Sequence, residues 1–373
     1  MSLTHLAPDY IRAIHAYQPG KPISDVAREL GLNEADIVKL ASNENPLGAS
    51  KKALAAIQAA LPDLALYPDG GGVKLKAVIS QKYGVTPLQI VLGNGSNDIL
   101  ELAARTFLQA GDTAVYSQYA FAVYPLATQS VGAIGIEVKA KNFGNDLEAM
   151  LLAIVPSTKI VFIANPNNPT GTFLAGSVLY DFMQRVPKNV LVIFDEAYGE
   201  YLRDEDAYDS VPWLAEFPNL VISHTMSKAY GLAGLRIGFG FAAPELVALM
   251  NAVRQPFNVN HLAMVAAEAS LGDHEFIRES REVNADGLAM LERELNARGF
   301  ETIPSAANFI TFKIDYASAV NQSLLRQGVI VRPIAGYGLP DYLRVSIGTA
   351  AQNARFLIAL DAACQALKIE SKV

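Results

Sequence analysis

Seven short apolar runs, spread along the middle of the chain and separated by segments of helical periodicity, set the tightest limit on the fold. They are Ile90–Gly93, Thr113–Ser117, Ala133–Val138, Lys159–Ala164, Val190–Asp195, Leu220–His224 and Leu235–Phe241. Each is nearly continuous in its hydrophobicity rather than alternating, as expected of strands covered on both faces. Amphipathic segments such as Ile99–Gln109, Leu147–Ile154 and Gly176–Arg185 lie between several of them. Strand–helix–strand alternation implies parallel pairing with helical crossovers. The expected fold class is therefore α/β, with a mostly parallel seven-stranded sheet flanked by helices.

The pattern changes after Pro244. Long helical stretches follow at Asn260–Leu271 and His274–Arg298, the latter ended by Gly299. A smaller set then reads as strand or helix: Asn308–Ile314, Ala317–Gln327, Val329–Arg332, Tyr342–Ile347 and Ala350–Leu367. The first forty residues hold two short helices, about Asp9–His15 and Ile23–Leu30, with Gly31 as C-cap of the second. They are too short to fold alone and must pack on something else. The expected division is a large domain over 42–255 and a smaller α+β domain built from 1–41 and 256–373.

Composition excludes several classes. With 30 basic and 37 acidic residues the net charge is −7. No basic run marks a nucleic-acid surface. No stretch of about 18 apolar residues marks a membrane span, and the start lacks the basic-then-apolar order of a signal peptide. Cys364 is the one cysteine, which rules out an intrachain disulfide and fits a reducing, cytoplasmic setting. The five histidines have no ligand spacing, so no metal is expected.

Four segments combine chemistry with position. Ser223 to Gly238 follows a strand, and ligands of open α/β sheets bind beyond the strands' carboxyl ends. There Thr225, Ser227, Lys228 and Arg236 offer an amine nucleophile beside hydroxyls and a guanidinium able to receive a phosphate. Val190–Phe194 ends in Asp195, a carboxylate at a strand end that could hold a ring nitrogen protonated; Tyr198, three residues on, can turn to the same spot. Asn165-Pro-Asn-Asn168-Pro-Thr-Gly171 is a rigid turn after a buried strand, with projecting amides. Gly93 to Asp98 opens a helix, where the N–H groups of Gly95, Ser96 and Asn97 could cradle a phosphate. Blander readings exist for each: a solvated lysine, a helix-capping aspartate, a plain Asn/Pro turn, a plain glycine loop.

Together, NPNNPTG, the strand ending in DEAY, and SK followed eight residues later by arginine resemble the fold-type-I aminotransferases that use pyridoxal 5'-phosphate. Ser42-Asn-Glu-Asn-Pro-Leu-Gly48, Tyr67-Pro-Asp69 and GNGSND further resemble the histidinol-phosphate aminotransferase family. The likeness runs from about Tyr17 to Gly348. It implies that Lys228 holds the cofactor as a Schiff base and moves the substrate's α-proton. Asp195 would pair with the pyridinium, and Asn168 and Tyr198 would bond the phenolic oxygen. Gly95, Ser96, Asn97, Thr225, Ser227 and Arg236 would hold the phosphate. Tyr67 would reach the phosphate of a neighbouring subunit, implying a homodimer. The family's Pro-Thr-Tyr stretch reads Tyr119-Ala-Phe121 here, so Phe121 would stack on the ring, with Tyr119 as the alternative. Arg344, in YLRVSIG, would grip a carboxylate as a planar fork, with Arg332 and Tyr17 as further substrate contacts.

The expected reaction is amino-group exchange between L-histidinol phosphate and 2-oxoglutarate in histidine biosynthesis, with small-molecule partners only. An aromatic amino-acid aminotransferase or an amino-acid-phosphate decarboxylase would keep nearly the same cofactor residues. Gly238-Phe-Gly-Phe-Ala-Ala243 fits a nucleotide fingerprint by spelling, but the sheet is expected to end there rather than begin a strand–helix–strand unit.

Overall fold

A computed structural model describes residues 3–17 and 19–369. In chain order, β1 (Val38–Lys39) precedes seven strands: β2 (Ile90–Gly93), β3 (Thr113–Ser117), β4 (Ile134–Val138), β5 (Thr158–Ala164), β6 (Leu191–Asp195), β7 (Leu220–Thr225) and β8 (Gly238–Ala242). These form one sheet in the order β2-β8-β7-β6-β5-β3-β4. β8 pairs antiparallel with both β7 and β2, and the remaining pairs are parallel. Six strands therefore run one way and β8 alone runs back.

Alternating side chains supply two cores. Val192, Phe194, Leu220 and Ile222 face one helical layer, while Leu191, Ile193, Ile160 and Val221 face the other. Period-two geometry makes this division automatic. Each large aliphatic or aromatic side chain so enclosed contributes roughly 1.5–3 kcal/mol. β4 departs from the expectation of strands covered on both faces. It is the sheet edge, Ile134 is 57% exposed, and only Val138 is fully buried.

β9 (Thr302–Ile303), β10 (Phe309–Lys313), β12 (Arg332–Pro333) and β13 (Tyr342–Ser346) make a second, antiparallel sheet ordered β12-β13-β10-β9. β11 (Val329–Ile330) pairs in parallel with β1. The expected single run Val329–Arg332 is thus split between two sheets at Val331. Helices Ala317–Arg326, Ala350–Leu367 and His274–Ala297 cover this unit and share its core. Helix His261–Leu271 instead buries Ala263, Met264, Ala267 and Leu271 in the core of the large sheet. Gly31 caps Ile23–Leu30 in the left-handed conformation, and that helix packs on Ile37, Leu325 and Ile330 of its own chain. The first helix is shorter than expected, Asp9–Arg12, and wholly unburied. Helices Lys51–Ala60, Val73–Tyr83 and Val123–Ser130 had no counterpart in the sequence reading.

The run expected as Leu235–Phe241 begins three residues late. Ala233–Leu235 is a 3-10 turn and Arg236 is left-handed at φ 56°. The strand that follows lies inside the sheet between β7 and β2, so the glycines of GFGFAA serve packing. A Cβ on Gly238 would fall 2.6 Å from the Ser96 nitrogen.

Candidate active site

The direction of the strands builds the site. β2, β5, β6 and β7 all finish at one edge of the sheet, and β8 starts there, Gly238 lying level with both Thr225 and Gly93. That edge therefore gathers Ser96 and Asn97 after β2, Asn168 after β5, Asp195 ending β6, Thr225 ending β7, and Arg236 just before β8. The 226–237 connection folds back between two neighbouring strands, which keeps Ser227, Lys228 and Arg236 together. A cleft of about 260 Å³ at this edge is lined by all of them and by Tyr198, Phe121, Tyr17, Arg332 and Arg344.

Two expected residues lie off this cleft. Gly95 is behind it, its missing Cβ 2.8 Å from an Arg236 nitrogen; glycine there, at φ 81°, lets the guanidinium lie against the helix start. Tyr67 is 84% exposed and stacks on Phe257 at 4.9 Å between ring centres. Between the two stacking candidates, Phe121 lines the cleft. Tyr119 instead stacks on Phe143 at 6.0 Å and gives its carbonyl to Asn167.

Asp195 is buried and receives the Tyr124 hydroxyl on Oδ2 at 2.9 Å, while Oδ1 has no partner. Burial raises its carboxyl to about 6, against lowering by the Tyr124 hydroxyl, the Ala197 N–H and the Lys228 charge. An orphaned carboxylate oxygen in a buried site normally costs free energy, so it marks a place for a cationic donor. Lys228 donates to the Ser42 carbonyl at 3.1 Å and sits 5.8 Å over the Tyr198 ring. Burial, aided by the charges of Arg344 and Arg236, lowers its amine to about 8. About one copy in ten is then uncharged at pH 7 and available as a nucleophile.

At the other end, Arg236 donates to Ser227 Oγ at 3.3 Å and to the Ala233 carbonyl at 2.9 Å. The Thr225 and Ser227 hydroxyls are 3.0 Å apart. With the start of helix Ser96–Phe107 these groups make an anion cradle of guanidinium, hydroxyls and N–H groups. An orphaned acid at one end and an anion cradle at the other, with a depressed lysine beside them, fit pyridoxal 5'-phosphate by its ring nitrogen, its phosphate and its aldehyde.

Arg344 is buried over the Phe309 ring, at 5.0 Å, and is held by Asn168 Oδ1 at 2.5 Å and the Ala41 carbonyl at 2.8 Å. Its Nε has no partner. The Arg332 guanidinium lies 5.3 Å over the Tyr17 ring. Sequence reasoning missed Tyr124, whose burial against Phe162 at 4.9 Å could not be read from its neighbours. It also missed Tyr337, which lines the cleft, and gave no role to Asn43 and Glu44, which line it too and lie in a motif it had noted.

The sequence matches the family described as aminotransferase class I and II over residues 35–360. It is 59% identical over 354 residues to histidinol-phosphate aminotransferase 1 of Thiobacillus denitrificans, covering 95% of this chain and 92% of the relative. It is 56% identical over 361 residues to histidinol-phosphate aminotransferase 2 of Nitrosospira multiformis, covering 96% and 92%. Among solved structures, histidinol-phosphate aminotransferase from Sinorhizobium meliloti in complex with pyridoxal-5'-phosphate superposes with a TM-score of 0.88 at 26% identity, covering 96% and 97%.

Proposed function

The chain belongs to the class I and II aminotransferase family, and from that premise we propose that it exchanges an amino group between L-histidinol phosphate and 2-oxoglutarate, in histidine biosynthesis. It is a pyridoxal-phosphate-dependent transaminase, and its nearly full-length likeness to histidinol-phosphate aminotransferases supports the choice of substrate. The observation that carries the reading is that Asp195, with one carboxylate oxygen orphaned, lines the same cleft as the lowered amine of Lys228.

When bound, pyridoxal phosphate supplies an electron sink for the pair left on the substrate's α-carbon. The residues divide the remaining work. Asp195 Oδ1 would keep the proton on the ring nitrogen. Tyr198 and Asn168 would bond the phenolic oxygen, and Phe121 would stack on the ring. Ser96, Asn97, Thr225, Ser227 and Arg236 would hold the phosphate. Lys228 Nζ would receive the proton leaving the substrate's α-carbon and give it back. Arg344 presents its planar fork to an anion, the carboxylate of the co-substrate glutamate, with Arg332 and Tyr17 closing the same end.

The assembly belongs to the same reading. Tyr67, exposed beside Leu64 and Leu66, would complete the phosphate site of a second copy, so the active form is a homodimer working in the cytoplasm. Among the described residues no helix is long and apolar enough to cross a membrane. The large domain spans 42–255 and the small one 1–41 with 256–373, helix His261–Leu271 being the part of the second whose apolar residues are buried in the core of the first.

The deciding experiment is the visible spectrum of the purified protein, titrated with L-histidinol phosphate and separately with phenylalanine. The expected result is bleaching by histidinol phosphate at low concentration and recovery with 2-oxoglutarate. Bleaching by phenylalanine alone would move the substrate to the aromatic class. No band, even after added pyridoxal phosphate, would overturn the reading.

A further inference from the structure

Asn43 sits in the strap that joins the two sheets, buried to 1% exposure and left-handed at φ 55°. Its side-chain amide donates to the Tyr198 hydroxyl at 2.8 Å. Its backbone N–H donates to Ser346 Oγ at 2.8 Å, and the Ser346 hydroxyl donates to Asn43 Oδ1 at 3.1 Å. Asn308 Nδ2 donates to the Asn43 carbonyl at 3.0 Å. Ser346 ends β13 and Asn308 stands just before β10, so both anchors belong to the sheet that carries Arg344.

The directions of these bonds fix one another. The Ser346 hydroxyl already accepts from the Asn43 backbone, so its own proton goes to Oδ1. That places the amide NH2, which can only donate, on Tyr198. The Tyr198 oxygen is thus an acceptor on the Asn43 side, and its single proton must point elsewhere. The charged groups around Tyr198 are Arg344, Asp195 and Lys228; the hydrogen bond that orients its hydroxyl is that of Asn43.

Resting on the aminotransferase reading, we infer that Asn43 is a positioning residue: it turns the Tyr198 hydroxyl into a fixed donor toward the cofactor's phenolic oxygen and ties that donor to the strand bearing Arg344. A donor at that oxygen would draw off negative charge and loosen the proton on Lys228 Nζ once that nitrogen joins the cofactor's aldehyde carbon. Losing the donor should therefore raise the pH at which the bound cofactor changes colour.

Asn43→Asp tests this with little change of shape, because aspartate tolerates the same backbone conformation and can still accept from Ser346. Its second oxygen accepts from Tyr198 and pulls the hydroxyl proton away from the cofactor. In the pyridoxal-phosphate-loaded protein the pH midpoint of the visible band should rise by about one unit, about tenfold in proton affinity. In a Tyr198→Phe background the same substitution should shift it clearly less. Equal shifts in both backgrounds would mean that Asn43→Asp acts only through its charge, and would overturn the inference, as would no shift. Should Asn43→Asp fail to fold, Ser346→Ala frees the amide to flip. A smaller rise is then expected, and an unmoved midpoint in the folded protein overturns the coupling. A parent protein without a titrating band would instead refute the aminotransferase reading itself.

Discussion

Tyr124→Phe is a sharp test of how the site keeps Asp195 ionised. The substitution removes one oxygen and leaves the ring, so the 4.9 Å stack on Phe162 survives. It deletes the hydroxyl that donates to Asp195 Oδ2 at 2.9 Å and leaves both carboxylate oxygens without a side-chain donor. With the carboxyl at about 6, roughly nine in ten copies of the apoprotein are ionised at pH 7. A hydrogen bond to a charged acceptor contributes roughly 1.5–3 kcal/mol, so its loss lifts the carboxyl by about one to two units. The ionised fraction at pH 7 then falls to between roughly a half and a tenth. Only the carboxylate can pair with the pyridinium, so cofactor affinity should fall about two- to tenfold at pH 7. Near pH 9 both proteins are ionised, and the difference should nearly vanish. Fluorescence titration of apoprotein with pyridoxal phosphate at the two pH values measures this. A loss equally large at pH 9, or none at pH 7, would refute the argument.

Lys228→Ala should abolish turnover while the cofactor still binds weakly through its phosphate; normal steady-state turnover would exclude Lys228 as the catalytic amine. Capture of pyridoxal phosphate by the apoprotein needs the uncharged amine, which burial favours. Its stopped-flow rate should therefore climb with pH about a midpoint near 8, and a midpoint near that of an ordinary lysine would contradict the burial argument. Asp195→Asn should have opposite effects on stability and binding. The folded apoprotein holds a proton on Asp195 up to about pH 6, whereas the unfolded chain releases it near 3.8, so this group's contribution falls as pH rises through that window. The amide removes a penalty of up to about 3 kcal/mol, so calorimetry at pH 8 should show a raised apoprotein melting temperature together with weaker cofactor binding. Gly231, at φ 68°, has its N–H on the Lys228 carbonyl at 2.9 Å, and a Cβ there would meet the Gly48 carbonyl oxygen. Gly231→Ala should cost at least about 1–2 kcal/mol from backbone conformation alone, and an unchanged denaturant midpoint would disprove it.

The sequence disclosed most of this fold because the central strands are buried on both faces, so hydrophobicity alone marks them. Where burial fails, so does the signal. At the edge strand β4, Ile134 and Gly135 read as core but are exposed, and Ile136 is only half-buried against the core. β8 starts three residues later than its hydrophobicity implies, because Leu235, Arg236 and Ile237 look like strand while Arg236 is left-handed and its guanidinium reaches Ser227. Helix Val123–Ser130 hides behind Val123 and Pro125, which argue locally for something else. The candidate site was legible where its residues follow strands directly, as Asp195 and Asn168 do. It was not legible where a residue acts through a distant partner. Tyr124 meets Asp195 across 71 positions, and Asn43 meets Tyr198 across 155. No local pattern records such pairs.

The strap from Leu40 to Asn43 also acts as a gauge. Its successive carbonyls receive the Ser346 N–H, the Arg344 guanidinium and the Lys228 amine. In the cofactor-free chain the amine and the guanidinium are thereby anchored on neighbouring carbonyls, and both anchors are backbone atoms. A side-chain change at Ala41 or Ser42 that keeps the backbone conformation alters what surrounds the two cations and leaves both anchors in place. Selection for a longer or bulkier amino donor would have to work on the walls instead, at Tyr17, Phe121 and Arg332. Redesign of this enzyme's substrate range should begin with those three and leave the strap alone.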